Sequence, residues 1–173
     1  KSNRAAVVGA AFMALFLALA AFAPLAAPYD PIVQDLYNRL AAPSFDHPFG
    51  TDDFGRDILS RVIYGTRISL RIGVVCVLIA LVAGTAIGLV AGYYGGVIDQ
   101  ILMRLMDLVL AFPSILLAIG IVAVLGPGLE NAMIAIGVVA IPQYARLIQA
   151  LTLTVRESDY VQALRALGAR DLR

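Results

Sequence analysis

The stretch I-G-V-V-C-V-L-I-A-L-V-A-G-T-A-I-G-L-V-A-G-Y-Y, Ile72 to Tyr94, carries no charged residue from end to end. A transmembrane helix needs about 20 consecutive apolar residues to cross the hydrocarbon core. This segment meets that length, and it predicts a membrane-spanning helix. Gly84, Gly88 and Gly92 recur at every fourth position, with Ala80 one step earlier. Residues four apart share a helix face, so the repeat sets a groove of small residues along one side. In lipid, small residues let two helix backbones approach closely. The expected reading is a helix-packing face, with a glycine hinge as the alternative.

Composition extends that reading to the whole chain. Of 173 residues, 61% are hydrophobic and 14% charged, with a mean hydropathy of +0.87. Soluble domains are nearer 45–50% apolar. The net charge of +1 gives no basic field for nucleic acid. Trp is absent, so Tyr must supply any aromatic belt. Cys76 is the sole cysteine and lies in an apolar run, which excludes an intrachain disulfide. Lys1 is the only lysine. A phosphate-binding loop of the G-x-x-x-x-G-K-[ST] type needs a lysine after its glycines, so any ATP used must bind another subunit.

Three further spans are expected. The first runs from Ala5 to about Ala27. A cleaved leader is the alternative there, given Lys1, Arg4 and Ala21-Phe22-Ala23. The length of the apolar run and the prolines at 24 and 28 oppose it. The third runs from Asp99 to about Leu125, with Arg104 and Asp107 able to face each other and Pro113 permitting a kink. Gly126-Pro127-Gly128 makes the following turn. The fourth runs from about Asn131 to Leu153. Its second half holds Pro142 and then Gln143, Arg146 and Gln149, a polar stripe at steps of three. Such groups face protein or a water-filled path rather than lipid, unless this half is emerging from the membrane.

Between the first two spans lies a polar connection, 28–71. Asp30-Pro31 predicts the start of a short helix through Leu40. Thr51 or Asp52 predicts the cap of a second helix ending at Gly65 on the membrane surface. Asp53, Arg56 and Asp57 are candidates for an ion-pair set or docking surface. His47 has no companion ligand that would make a metal site. With four spans, both termini share a side. That side holds Lys1, Arg4, Arg156, Arg165, Arg170 and Arg173, with Arg104 near it. The first loop offsets its five arginines with six aspartates. Acidic residues count little in the positive-inside rule, so the expectation is both ends inside.

The final segment, Glu157 to Arg173, is charged and helix-prone. Asp159 with Gln162 predicts a capping-box start. Tyr160, Ala163 or Leu164, and Leu167 then line one face, and Gly168 fits the stop. A helix this short is marginal alone in water and is expected to dock in a groove, with the membrane surface as the alternative.

Q-A-L-R-A-L-G, Gln162 to Gly168, resembles the E-A-A-x-x-x-G signature of permease subunits in ATP-binding-cassette importers. His47 to Leu70, the run M-R-L-M-D-L-V-L-A-F-P-S from Met103, and I-P-Q-Y-A-R from Ile141 are similar to the "C"-type permease of the dipeptide, oligopeptide and nickel branch. Gln162 replaces the signature's Glu, Leu164 its second Ala, and Ile141 stands where this branch often has Trp.

The resemblance implies an all-α integral membrane protein with the permease fold of binding-protein-dependent importers. Four of an expected six transmembrane helices are present, and the chain is expected to be a fragment broken off in the coupling loop. The implied division is an anchor span at 1–27, an extracytoplasmic loop with short helices at 28–71, core spans two to four at 72–156, and a cytoplasmic coupling helix at 157–173. Glu157, Asp159, Tyr160, Gln162, Ala163, Leu164, Leu167 and Gly168 would couple to an ATPase. Pro113, Pro142, Gln143, Arg146 and Gln149 would face the translocation path or the partner permease. Implied partners are a second permease subunit, two ATPase subunits that bind ATP and Mg, an extracytoplasmic substrate-binding protein and membrane lipid. No cofactor or metal is expected on this chain. The implied place is the bacterial inner membrane, with the N-terminus and coupling loop cytoplasmic. The implied cargo is di- or oligopeptides, with nickel chelates or glutathione as alternatives. A non-transporting assembly subunit is the remote alternative. An intramembrane protease is excluded by the single loop histidine and the single aspartate, Asp107, deep in a span.

Overall fold

The computed structural model describes residues 4–168, apart from the side chain of Arg165. Lys1, Arg170 and Arg173, counted in the charge balance above, lie outside the described residues, as do the last five positions of the coupling segment. Among the described residues seven α-helices follow in order: α1 Arg4–Ala21, α2 Ala23–Ala26, α3 Ile58–Tyr94, α4 Gly96–Leu110, α5 Ser114–Leu125, α6 Leu129–Arg156 and α7 Asp159–Ala166. The chain divides into two compact units, Lys1–Ile72 and Gly73–Arg173.

In the first unit, α1 stops at Ala21 and α2 restarts two residues later. Pro24 has no N–H to return to the Ala20 carbonyl. Arg67 takes the freed acceptors instead, donating Nε to Ala20 O at 2.6 Å and a terminal nitrogen to Ala21 O at 3.0 Å. The sequence suggested one helix to Ala27, and the proline explains the break.

The connection folds differently from the sequence expectation. No helix opens at Asp30. Its carboxylate accepts from Ile32 N at 2.8 Å, and Asp35 accepts from Tyr37 N at 3.1 Å at the head of a single 3-10 turn, Leu36–Asn38. Aspartates that bond their own backbone two residues on compete with helix formation. The helix expected from Thr51 or Asp52 to Gly65 and the span expected from Ile72 are one element, α3. Thr51 lies instead in an isolated antiparallel bridge with Asp57.

The N-terminal cap of α3 is Asp57, whose carboxylate accepts from Ser60 N at 2.7 Å. Its other oxygen meets His47 Nδ1 at 3.0 Å. Tyr29 lies over the His47 ring with centroids 4.8 Å apart, and its backbone N–H donates to Ser60 Oγ at 3.0 Å. The expected ion-pair set is therefore redistributed. Asp52, not Asp53, binds Arg56 at 2.8 Å and also pairs with Arg61, while Asp53 contributes only its carbonyl, to Arg39 at 2.7 Å. Gly55, at φ +74, passes so close to the Asp35 carbonyl that a β-carbon would collide with it.

Burial opposes ionisation of Asp52, but the backbone N–H groups of Arg56 and Phe54 and the Arg56 guanidinium outweigh it. They hold its carboxyl at about 2 against an ordinary 3.8. Burial opposes ionisation of Asp57 too, and the Ser60 and His47 hydrogen bonds again bring its pKa down.

In the second unit, α4 and α5 meet at a bend of 91°. The third span was expected as one kinked helix. Pro113 instead stands just outside α5, in an extended conformation with ψ 122. Proline removes a donor and pushes the preceding residue out of helical geometry, which ends α4 rather than kinking it. Pro142, by contrast, sits inside α6 and is fully buried.

Gly84, Gly88 and Gly92 lie against α6. A β-carbon at Gly84 would come within 2.9 Å of the Ile141 carbonyl, and one at Gly92 within 2.9 Å of the Gln149 carbonyl. At Gly88 it would overlap the Ala145 carbonyl. Towards the other end, Cys76 Sγ reaches Met133 O at 3.3 Å across a separation of 57 residues. The same offset links Gly84 to Ile141, Gly88 to Ala145 and Gly92 to Gln149, so α3 and α6 run parallel. Parallel neighbours require the chain to return between them. The bent α4–α5 pair makes that return and counts as one crossing.

Two outcomes check this description. Asp57→Ala should destabilise the first turn of α3 by about 1 kcal/mol, seen as faster amide exchange at Ser60 and Arg61. Both carboxyl pKa values are depressed, so the stabilisation is complete above the ordinary value of 3.8 and is lost as pH falls through about 2 for Asp52. The amide resonances of Phe54 and Arg56 should shift together over that acid range, and that of Ser60 should shift below the ordinary carboxylate value as Asp57 is protonated.

Candidate functional site

The site is built on α6 and its continuation. One face of α6 is held by the glycines of α3, which leaves the next face to α4. There Arg146 pairs with Asp107, and Gln149 donates to Asp99 Oδ1 at 2.9 Å. The sequence suggested Asp107 with Arg104, three residues away on the same helix. The structure gives Asp107 to Arg146 instead. Across helices, a guanidinium and a carboxylate satisfy each other, and the polar groups of α4 and α6 need not face hydrocarbon.

Gln143 takes a different position. With Ser114, Ala118, Ile136 and Ala140 it lines a groove of about 260 Å³ between α5 and α6. The expected stripe is therefore divided: Arg146 and Gln149 bind α4, and Gln143 is exposed in a cleft whose other lining, Ser114 apart, is apolar. Pro142 is packed away and reaches no cavity surface. Pro113 sets the α4–α5 break beside the groove's first residue, Ser114. A larger depression, about 540 Å³, lies along α4 between Gln100 and Asp107. Its lining comes from one helix, so it is a surface furrow rather than an enclosed site.

Beyond α6 comes α7, which is short and amphipathic. The expected cap at Asp159 is not formed, because Ser158 occupies that place. Its carbonyl accepts from Val161 N and Gln162 N, both at 3.1 Å, and Asp159 falls inside the first turn. Gln162 turns back and donates Nε2 to the Glu157 carbonyl at 3.1 Å. Tyr160, Leu164 and Leu167 are 61%, 51% and 85% exposed, and Ala163 is exposed with them. Gly168, at φ +83, follows the last turn. An eight-residue helix with a bare apolar face buries too little to hold itself in water.

Among the described residues, no group of three His, Cys, Asp or Glu side chains is placed to hold a metal ion. His47 is engaged with Asp57.

These features define a multi-pass α-helical membrane protein whose spans are joined by backbone contact and followed by a short amphipathic helix with an exposed apolar face. The chain belongs to the family of binding-protein-dependent transport system inner membrane components, whose model matches residues 84–173. A second model, the N-terminal TM domain of oligopeptide transport permease C, matches residues 1–43. It is similar to the dipeptide transport system permease protein DppC of Alkalihalophilus pseudofirmus, at 47% identity over 99% of this chain and 56% of that protein. DppC of Haemophilus influenzae is 45% identical over 100% of this chain and 61% of its own length. The glutathione transport system permease protein GsiD of Pectobacterium atrosepticum is 44% identical over 96% and 56% respectively. The chain thus spans little more than half the length of these relatives. The resemblance to a "C"-type permease and the all-α membrane fold are borne out, and the chain is an inner-membrane, multi-pass transport component.

Among the site features, the glycine contact gives the sharpest test. Gly88→Ala should lower thermal stability in detergent by about 1–3 kcal/mol through overpacking. Gly120→Ala, where a β-carbon meets nothing within 4 Å, should leave it unchanged.

Proposed function

We propose that this chain is the transmembrane permease subunit of an ATP-driven importer of di- or oligopeptides. The observation that carries the reading is α7, a helix too short to stand alone, with its apolar face uncovered and only Glu157 and Ser158 between it and the end of α6. Such a helix is suited to a cleft on another protein. In this reading the cleft belongs to an ATPase subunit, and two such subunits bind ATP and Mg. Their closure moves α7, and the spans switch between outward and inward access. A second permease subunit completes the path, with Gln143 at that boundary. An extracytoplasmic binding protein delivers substrate near the 28–57 connection. The N-terminus and α7 are cytoplasmic.

The peptide assignment is supported by the dipeptide permeases among the relatives. Glutathione is the second reading, since permeases named for it are similar over nearly the whole chain.

The test uses the full-length natural protein in cells lacking it. Leu167→Asp puts a charge on the exposed apolar face. Gly168→Pro forces φ to about −65° where the backbone is left-handed. Both should abolish uptake of a labelled dipeptide while membrane insertion is unchanged. Normal uptake in both variants would refute the coupling role of α7, and uptake of glutathione but not of dipeptides would move the substrate to the second reading.

A further inference from the structure

Arg156 is the last residue of α6 and stands at a meeting of three elements. Its Nη1 donates to the carbonyls of Gly92 and Tyr93 at 3.2 and 3.3 Å. These belong to the last turn of α3, where carbonyls have no partner within the helix and the helix dipole favours a cation. The neighbouring Ala91 carbonyl is already taken by Gly95 N at 2.9 Å. The guanidinium therefore completes the end of α3.

The chain then turns into α4 through Gly95 and Gly96, at φ +66 and +55. A β-carbon at Gly95 would stand 2.8 Å from Arg156 Nη1. The corner is shaped so that the guanidinium lies directly against its backbone. On its other edge Arg156 contacts Glu157 Oε1 at 3.4 Å through Nε and Nη2. The carbonyl of Glu157 in turn receives the Gln162 side chain of α7 at 3.1 Å. A continuous polar path thus runs from α7 through Glu157 and Arg156 to the α3–α4 corner.

Gln162 is suited to this path because its amide donates. An ionised Glu in its place has no hydrogen to give a carbonyl.

We infer that Arg156 is a positioning residue that fixes α7 to the α3–α4 corner, so that the two move as one body when α7 is displaced. The inference rests on the importer reading above and assigns the transmission of that movement to a single side chain. Without Arg156 the end of α6, and α7 with it, would lose its bonds to the Gly92 and Tyr93 carbonyls, and the corner would be released.

The experiment uses the full-length protein assembled with its ATPase subunits in liposomes. Spin labels are placed at Val97 and Ala166, which are both exposed. The inter-label distance is measured without nucleotide and with ATP and vanadate. The expected result is one narrow distribution, the same in both states. Arg156→Gln should broaden it and lower the dipeptide transported per ATP hydrolysed by about tenfold, in proportion to the lost charge-assisted hydrogen bonds. A wild-type distance that changes on trapping overturns the inference, as does an Arg156→Gln complex with unchanged transport per ATP. If that variant fails to assemble, the wild-type distance decides alone. A wild-type complex that transports nothing refutes the importer reading, while the distance still reports on the rigid link.

Discussion

The close approach of α3 and α6 is the contact on which the rest of the second unit depends. Three glycines at four-residue spacing put backbone against backbone, with carbonyls of Ile141, Ala145 and Gln149 where side chains would otherwise stand. In lipid, association has no hydrophobic drive of the kind that acts in water, and contact of this kind supplies it. The offset along the sequence is constant, so the two helices are parallel and in register. That one constraint determines much else. It obliges α4 and α5 to return across the membrane, and it places the C-terminal ends of α3 and α6 side by side.

Polar groups then occupy the positions that packing leaves. Asp99 and Asp107 on α4 meet Gln149 and Arg146 on α6. In hydrocarbon, each of these polar groups alone would be costly, so the pairings determine which face of α4 turns inward. Gln143, one step further along the same stripe, is left in an apolar groove with no such partner on α4. The division of the stripe follows from where α4 ends, which Pro113 determines.

How much of this the sequence discloses depends on the range of the interaction. The spans are legible because a bilayer imposes a length and a composition on each helix. The glycine face is legible because its spacing matches the helix period. The fusion of the surface helix with the second span is not: Gly65, Arg67 and Arg71 look like an interruption. In the structure Gly65 is simply accommodated, and Arg67 serves the carbonyls that Pro24 leaves open. Pro113 announces a disturbance, but its size depends on what α4 and α5 each pack against. Asp107 has a plausible partner three residues away and an actual one thirty-nine away. No local pattern distinguishes the two. The cap at Asp57 was missed because Thr51 and Asp52 offer equally good capping residues, and these are used instead in the bridge and the arginine cluster. For α7, the exposed apolar face was legible, while its start was misplaced by one residue because the Ser158 carbonyl accepts the first helical bonds and its hydroxyl turns back to Val155 O.

The hydrogen bond from Gln162 to the Glu157 carbonyl joins two neutral groups. Charged contacts at a protein surface weaken with ionic strength over a screening length of about 8 Å under physiological conditions, and carboxylates are neutralised in acid. An amide donating to a carbonyl does neither. The Gln162 link is therefore insensitive to salt and to acid, unlike the Arg156–Glu157 ion pair beside it. Salt sensitivity in the movement of α7 is confined to the charged contacts around it, the Arg156–Glu157 pair and the outer face that carries Asp159.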